Sequence, residues 1–236
     1  MTEPLRLSKR LVELVGCSRR EAELFIEGGW VTVDGEVVDT PQFKVTTEQV
    51  ALDPLAQATA PEPVTLLFNA PAGMHAQMAM ASLKAETLSQ EHRFSKRPLK
   101  GHFLRQSTGC DLQAGASGLM VFTQDWRILR KLTSDADRIE QEYLVDVSGE
   151  MADEGLNALS RGMLYQGWEL PAVKASWQSE NRLRFALKNP PPGVFALLCE
   201  AVGLKAQALR RIRIGGVSIG KVPAGQWRYL SSQEKF

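Results

Sequence analysis

The sequence predicts an α+β protein: a small N-terminal unit of two helices and a hairpin, then a larger domain built on a mixed sheet. Three observations carry this reading. Two short amphipathic segments, each closed by glycine, run straight into strand-like residues around an Asp-Gly turn. A proline-punctuated stretch of small residues follows. Beyond it, strands and helices interleave without a repeating βαβ unit, which disfavours a doubly wound sheet.

Taken in order, Ser8 opens an apolar pattern of Leu11, Val12, Leu14 and Val15 that Gly16 stops, the signature of a short helix. Ser18 with Glu21 three residues on forms a capping box, and Gly28-Gly29 closes the second helix after Leu24, Phe25 and Ile26. Trp30 to Val33 reads as a strand, and Asp34-Gly35 as a tight turn into Glu36 to Val38. We assign residues 1–53 to this unit, 54–63 to an extended linker (Pro-Leu-Ala-Gln-Ala-Thr-Ala-Pro-Glu-Pro) and 64–236 to the second domain. There, Val64 to Phe68 is a buried strand, and 75–100 an irregular excursion or frayed helix. Gly118 to Thr123 is a strand, Trp126 to Leu132 a helix, Glu142 to Val147 an alternating strand, and Met151 to Met163 a helix. Strands at Ala172 to Trp177 and Arg182 to Leu187, a helix at Val194 to Val202 and C-terminal strands complete the domain.

Lys and Arg total 28 against 27 Asp and Glu, a formal net charge of +1, so any polyanion site must rest on local clusters. The opening Met-Thr-Glu-Pro begins no apolar leader, and nowhere do roughly eighteen apolar residues run together, so the chain is expected in the cytoplasm. Cys17, Cys110 and Cys199 are odd in number and far apart, as reduced thiols are. His75, His92 and His102 lack ligand spacing. We expect a monomer with no metal and no cofactor.

Arg6, Lys9 and Arg10 lie on or just before the first helix, and Arg19 and Arg20 sit in the first turn of the second. Cations there oppose the helix dipole at a cost of about 0.3–1 kcal/mol, which an RNA phosphate would reverse. A solvated basic face is the plain alternative. The full run Arg6-Leu-Ser-Lys-Arg-Leu, Gly16-Cys-Ser-Arg-Arg-Glu-Ala-Glu and Ile26-Glu-Gly-Gly-Trp-Val-Thr-Val-Asp-Gly-Glu-Val-Val resembles the small RNA-binding domain named after ribosomal protein S-four. That resemblance implies RNA contacts by Arg6, Lys9, Arg10, Arg19, Arg20 and Lys44. Residues 1–45 hold eight acids against six bases, so binding requires the charges to be segregated by face.

The C-terminal run Leu209-Arg-Arg-Ile-Arg-Ile-Gly-Gly-Val-Ser-Ile-Gly-Lys-Val-Pro-Ala-Gly-Gln-Trp-Arg-Tyr-Leu is similar to the closing motif of bacterial ribosomal RNA pseudouridine synthases that carry such a domain. Leu67-Phe-Asn-Ala-Pro-Ala-Gly, Ala116-Ser-Gly-Leu-Met-Val-Phe-Thr-Gln-Asp and Glu140-Gln-Glu-Tyr-Leu-Val resemble further family segments. Those enzymes isomerise uridine without a cofactor, using an aspartate nucleophile. The resemblance aligns that aspartate with Gln113, whose amide has no anionic oxygen to offer. It also aligns family cations with Asp111, Ala70 and Gln141, and an arginine-rich helix start with Gly193-Val-Phe-Ala-Leu-Leu. Tyr143 matches the residue that packs on uracil, and Arg210, Arg211 and Arg213 an RNA-facing strand.

Three readings follow. The first is an RNA-binding relative that has lost the reaction. The second is an active synthase with Asp111 as nucleophile, although an extended chain would set positions 111 and 113 about 7 Å apart. The third is a protein-interaction module whose surface includes Phe195 and Leu198. Val194 to Leu198 either packs as core, the commoner fate of an apolar helix face, or forms that surface.

Overall fold

A computed structural model describes residues 3–92 and 96–236. The chain forms two compact units, residues 1–63 with 97–105, and residues 64–96 with 106–236. The sequence reading does not anticipate that 97–105 groups with the first unit.

In the first unit, helix α1 (Leu7–Val15) ends at Gly16, which takes φ +74°, and helix α2 (Arg19–Glu27) follows. Ser18 caps α2 as expected: its Oγ accepts from the Glu21 N–H at 3.2 Å, while Glu21 Oε2 accepts from the Ser18 N–H at 2.8 Å. Asp34 and Gly35 have φ +50° and +83°, the left-handed pair that a tight hairpin needs. The hairpin strands Val31–Val33 and Glu36–Val37 are joined by Val50–Leu52 on the far side of the first. Leu7, Leu11, Ala22, Ile26, Val31, Val33 and Val45 form the core between helices and sheet. Residues 54–63 carry no helix or strand and are mostly exposed.

The second unit is organised by a mixed nine-stranded sheet. Its main path runs Lys174–Ser179, Arg182–Lys188, Glu140–Gly149, Leu204–Ile214, Ser117–Thr123, Thr65–Ala70 and Trp227–Tyr229. Leu204–Ile214 pairs in parallel with Ser117–Thr123. There Gly118, at φ +106°, faces Arg211, and a Cβ on it would stand 2.1 Å from the Arg211 carbonyl oxygen. Only glycine allows this approach. Of the helices, α3 (Ala76–Ser82) and three 3₁₀ turns replace the irregular excursion, of which residues 93–95 lie outside the described residues. Helix α4 (Trp126–Thr133) contributes Leu132 and Ile128 to an apolar cluster with Leu119, Val121 and Ile214.

One expectation is corrected, and of the two fates open to Val194 to Leu198 the structure shows core packing. The helix foreseen over Met151 to Met163 is reduced to α5 (Gly155–Arg161), because Glu154 enters it at φ +61° and Gly162 leaves it at φ +77°. Met163–Tyr165 then pairs with Trp168–Leu170 in an unforeseen hairpin around Gln166 and Gly167. Helix α6 (Val194–Glu200) packs Val194, Phe195, Leu198 and Cys199 into a core with Tyr143, Val145, Leu183 and Phe185. Phe195 and Leu198 are therefore interior, and no exposed partner surface is built on them.

Candidate functional site

In the first unit, Arg6, Lys9, Arg10, Arg19, Arg20 and Lys44 are all exposed. Leu7, Ser8 and Leu11 form the buried stripe of α1, so helical spacing leaves Arg6, Lys9 and Arg10 on its outer face with Glu13. Lys44 stands opposite Arg6 in the short ladder of Leu5–Arg6 with Lys44–Val45. Arg19 and Arg20 approach Glu23 at 3.2 and 3.9 Å. Exposed pairs of this spacing contribute only about 0.2–0.5 kcal/mol, so a phosphate could displace them.

In the second unit, positions singled out by the resemblance meet in two places: Gln113 at the start of α6, and Asp111 with Gln141 around Arg211. Gln113 is held at both ends of its amide: Nε2 donates to the Pro190 carbonyl at 2.9 Å, and Oε1 accepts from the Gly193 N–H at 3.0 Å. The amide thus ties the loop before the 117–123 strand to the turn that starts α6. An aspartate could not donate the first of these bonds.

Tyr143 is 0% exposed. The Phe195 ring lies 4.4 Å from it, centroid to centroid and tilted 44°, and Phe185 backs Phe195 at 5.8 Å. The Tyr143 hydroxyl donates to Gln141 Oε1 at 3.2 Å and accepts from Arg211 Nη1 at 3.4 Å. Burial pushes the phenol pKa up, against the pull of the Arg211 charge and hydrogen bond.

Arg211 departs from expectation. It is 1% exposed, and its guanidinium donates to the Leu119 carbonyl at 2.9 and 2.7 Å, to the Asp111 carbonyl at 3.1 Å and to Gln141 Oε1 at 3.0 Å. A side chain so enclosed cannot meet an RNA phosphate; it fastens the 111–113 loop to the sheet. Arg213 is also committed, to the Glu140 carboxylate at 2.9 Å and to Glu142, which Arg184 meets from the other side. Arg210 alone of the three is exposed. Asp111 is exposed, and its backbone carbonyl is what Arg211 holds. Ala70 pairs with Gly118, beside Arg211.

Sequence reasoning did not anticipate Pro190 and Phe195 as the residues that close this region. The run Gly193-Val-Phe-Ala-Leu-Leu was the available signal. Desolvation raises the Cys110 thiol despite the Arg211 charge nearby. Among the described residues no group of three or more His, Cys, Asp or Glu could hold a metal ion, and no helix is long and apolar enough to cross a membrane.

Residues 5–50 match the S4 domain. The chain is 26% identical over 231 residues to the dual-specificity RNA pseudouridine synthase RluF of Salmonella typhi, covering 97% of this chain and 76% of that protein. It is 27% identical over 240 residues to an uncharacterized RNA pseudouridine synthase of Aquifex aeolicus, covering 98% and 94%. It is 28% identical over 243 residues to ribosomal small subunit pseudouridine synthase A of Escherichia coli, covering 98% of each. A crystal structure of pseudouridylate synthase superposes with a TM-score of 0.59 at 19% identity, over 96% of both chains, so the fold is shared. With an S4 domain at its N-terminus and the fold of a pseudouridylate synthase, the chain is similar along nearly its whole length to bacterial RNA pseudouridine synthases.

Proposed function

We propose that this protein binds ribosomal RNA in the cytoplasm and does not isomerise uridine. Arg6, Lys9, Arg10, Arg19, Arg20 and Lys44 of the S4 domain take the phosphate backbone, and the synthase-like domain serves as scaffold and second contact through Arg210. The observation that carries the reading is Gln113, at the position aligned with the nucleophile. Both ends of its amide are hydrogen-bonded to backbone, and an amide cannot supply the carboxylate oxygen that covalent catalysis needs.

The surroundings support it. A flipped base would need to lie on the face of Tyr143, and Phe195 already packs there at 4.4 Å. The enclosed Arg211 is saturated with neutral acceptors, leaving it poorly placed to orient a carboxylate.

A second reading, an active synthase with Asp111 as nucleophile, is favoured by the names of the relatives. Against it stand the exposure of Asp111 and the enclosure of Tyr143. Misplacing a catalytic group by 1 Å already costs on the order of a hundredfold.

Pseudouridine mapping of ribosomal RNA from cells with and without the gene separates the two. Identical maps are expected. A site that vanishes with the gene and returns with the wild-type chain but not with Asp111→Asn would establish the second reading.

A further inference from the structure

Trp126 occupies the first turn of α4 and is 66% exposed. The guanidinium carbon of Arg127 lies 5.7 Å from the centre of its ring. The helix reads Trp-Arg-Ile-Leu-Arg-Lys-Leu-Thr, with three cations and no acid, and it turns Leu132 and Ile128 inward. Helical spacing sets Arg130 one turn from Trp126 and Lys131 one turn from Arg127, with about 6 Å between Cβ atoms.

The nearby acids only partly neutralise this face. Asp125 is turned into the helix, accepting the Arg127 backbone N–H at 2.8 Å. Asp135 approaches Arg130 at 3.9 Å, where both side chains are well exposed, and Lys131 Nζ donates to the Phe236 carbonyl oxygen at 3.3 Å. Next to Lys131, a cavity of about 330 Å³ continues past Arg138, Gly215 and Phe236, with Asp135 and Glu140 in its wall.

We propose that Trp126, with Arg127, Arg130 and Lys131, is a stacking site for one unpaired base of single-stranded RNA, the three cations holding the phosphates on either side. This rests on the RNA-binding reading above and names the form of RNA that the second unit takes. An indole left in water beside a guanidinium presents a broad π-face to any base, and cations one turn along the helix match a strand whose phosphates flank that base. Duplex RNA keeps its base faces stacked and cannot use the site. Trp168 and Trp177 are also exposed, but Trp168 is followed by Glu169 on its hairpin. Among the described residues the recorded cation–π contacts fall on Trp126 and the enclosed Tyr143.

The test is a titration of the full chain with single-stranded RNA of about ten nucleotides and with a duplex of the same length, followed by tryptophan emission and by direct binding. The single strand should quench emission, and Trp126→Phe should remove most of the quench. Trp126→Ala should weaken single-strand binding roughly tenfold, the loss of one stacked base, and leave duplex binding within about twofold. An unchanged melting temperature in both variants confirms that the fold is intact. Single-strand binding that depends on Arg19 and Arg20 but ignores both Trp126 variants overturns this inference alone. Absence of any RNA binding overturns it together with the reading on which it rests.

Discussion

Replacing Gln113 by aspartate supplies the carboxylate that the proposal finds missing at this position, and it tests whether the amide is a structural tie. The native amide makes two hydrogen bonds, to the Pro190 carbonyl at 2.9 Å and from the Gly193 N–H at 3.0 Å. Each is worth about 1 kcal/mol net, and a group left unpaired costs more. Aspartate is one methylene shorter and has no donor, so it loses both bonds and turns a carboxylate toward the Pro190 carbonyl. The expected loss is about 2–3 kcal/mol, or roughly 5–10 °C in melting temperature for a unit of this size. Gln113→Glu keeps the side-chain length and the acceptor for Gly193 but sets a carboxylate oxygen against the Pro190 carbonyl, so it too should lose about 2 kcal/mol. Denaturant and thermal unfolding give the stabilities, and pseudouridine formation on transcribed ribosomal RNA gives the chemistry. Gln113→Asp should gain no activity, because Phe195 still covers Tyr143. Stability equal to wild type within about 0.5 kcal/mol, or pseudouridine produced by the variant, would refute the reasoning.

Other outcomes follow from the same contacts. Arg19→Glu with Arg20→Glu should weaken RNA binding and lower the magnitude of the slope of log K against log salt by more than about 1.4, since two phosphate contacts are lost. Glu142 is 3% exposed between Arg184 and Arg213. Desolvation raises its carboxyl, but the hydrogen bonds and charges of Arg213 and Arg184 outweigh that and hold its pKa below the usual value. A lowered folded-state pKa gives stability that is present above the ordinary carboxylate range and is lost as pH falls through the folded value. Glu142→Gln should therefore lose about 2 kcal/mol near neutrality, with a smaller deficit in acid, as read from unfolding curves at several pH values. Gly118→Ala should destabilise by about 3 kcal/mol or more, because its Cβ would meet the Arg211 carbonyl oxygen at 2.1 Å. Burial pushes the Cys199 thiol up to about 12, so alkylation of the native chain should spare Cys199 until it unfolds.

The local chemistry of the first unit was legible because each signal acts within a few residues. Ser18 and Glu21 satisfy one another's backbone, and Asp34-Gly35 adopts the positive φ pair that the dipeptide favours. The alternation from Tyr143 to Val147 likewise follows from a strand that turns Tyr143, Val145 and Val147 to the core. Longer-range constraints were less visible. The apolar period of Met151 to Met163 looks helical, yet the Ala152 N–H is drawn to the Val202 carbonyl at 2.9 Å, outside any helix. Gln166-Gly167 takes φ +47° and +81°, a turn that the amide residue signals more weakly than asparagine would.

The site shows the same limit. Strand parity separates exposed Arg210 from buried Arg211, but a register shift between Arg211 and Arg213 turns Arg213 to Glu142. Such a bulge leaves no mark in the sequence. The departures at Asp111, Gln113, Gln141 and Gly193 could be read one by one. That Gln113 meets Gly193, and that Arg211 holds both Asp111 and Gln141, needed the tertiary fold, in which the 204–214 and 117–123 strands pair in parallel.

The most direct measurement incubates the purified full chain with transcribed ribosomal RNA, scoring binding and pseudouridine in the same samples. Salt-sensitive binding that falls with the Arg19 and Arg20 replacements, with pseudouridine at background, is the predicted result. Pseudouridine accumulating at a defined uridine, and lost in Asp111→Asn, would contradict the account and return the chain to the working synthases.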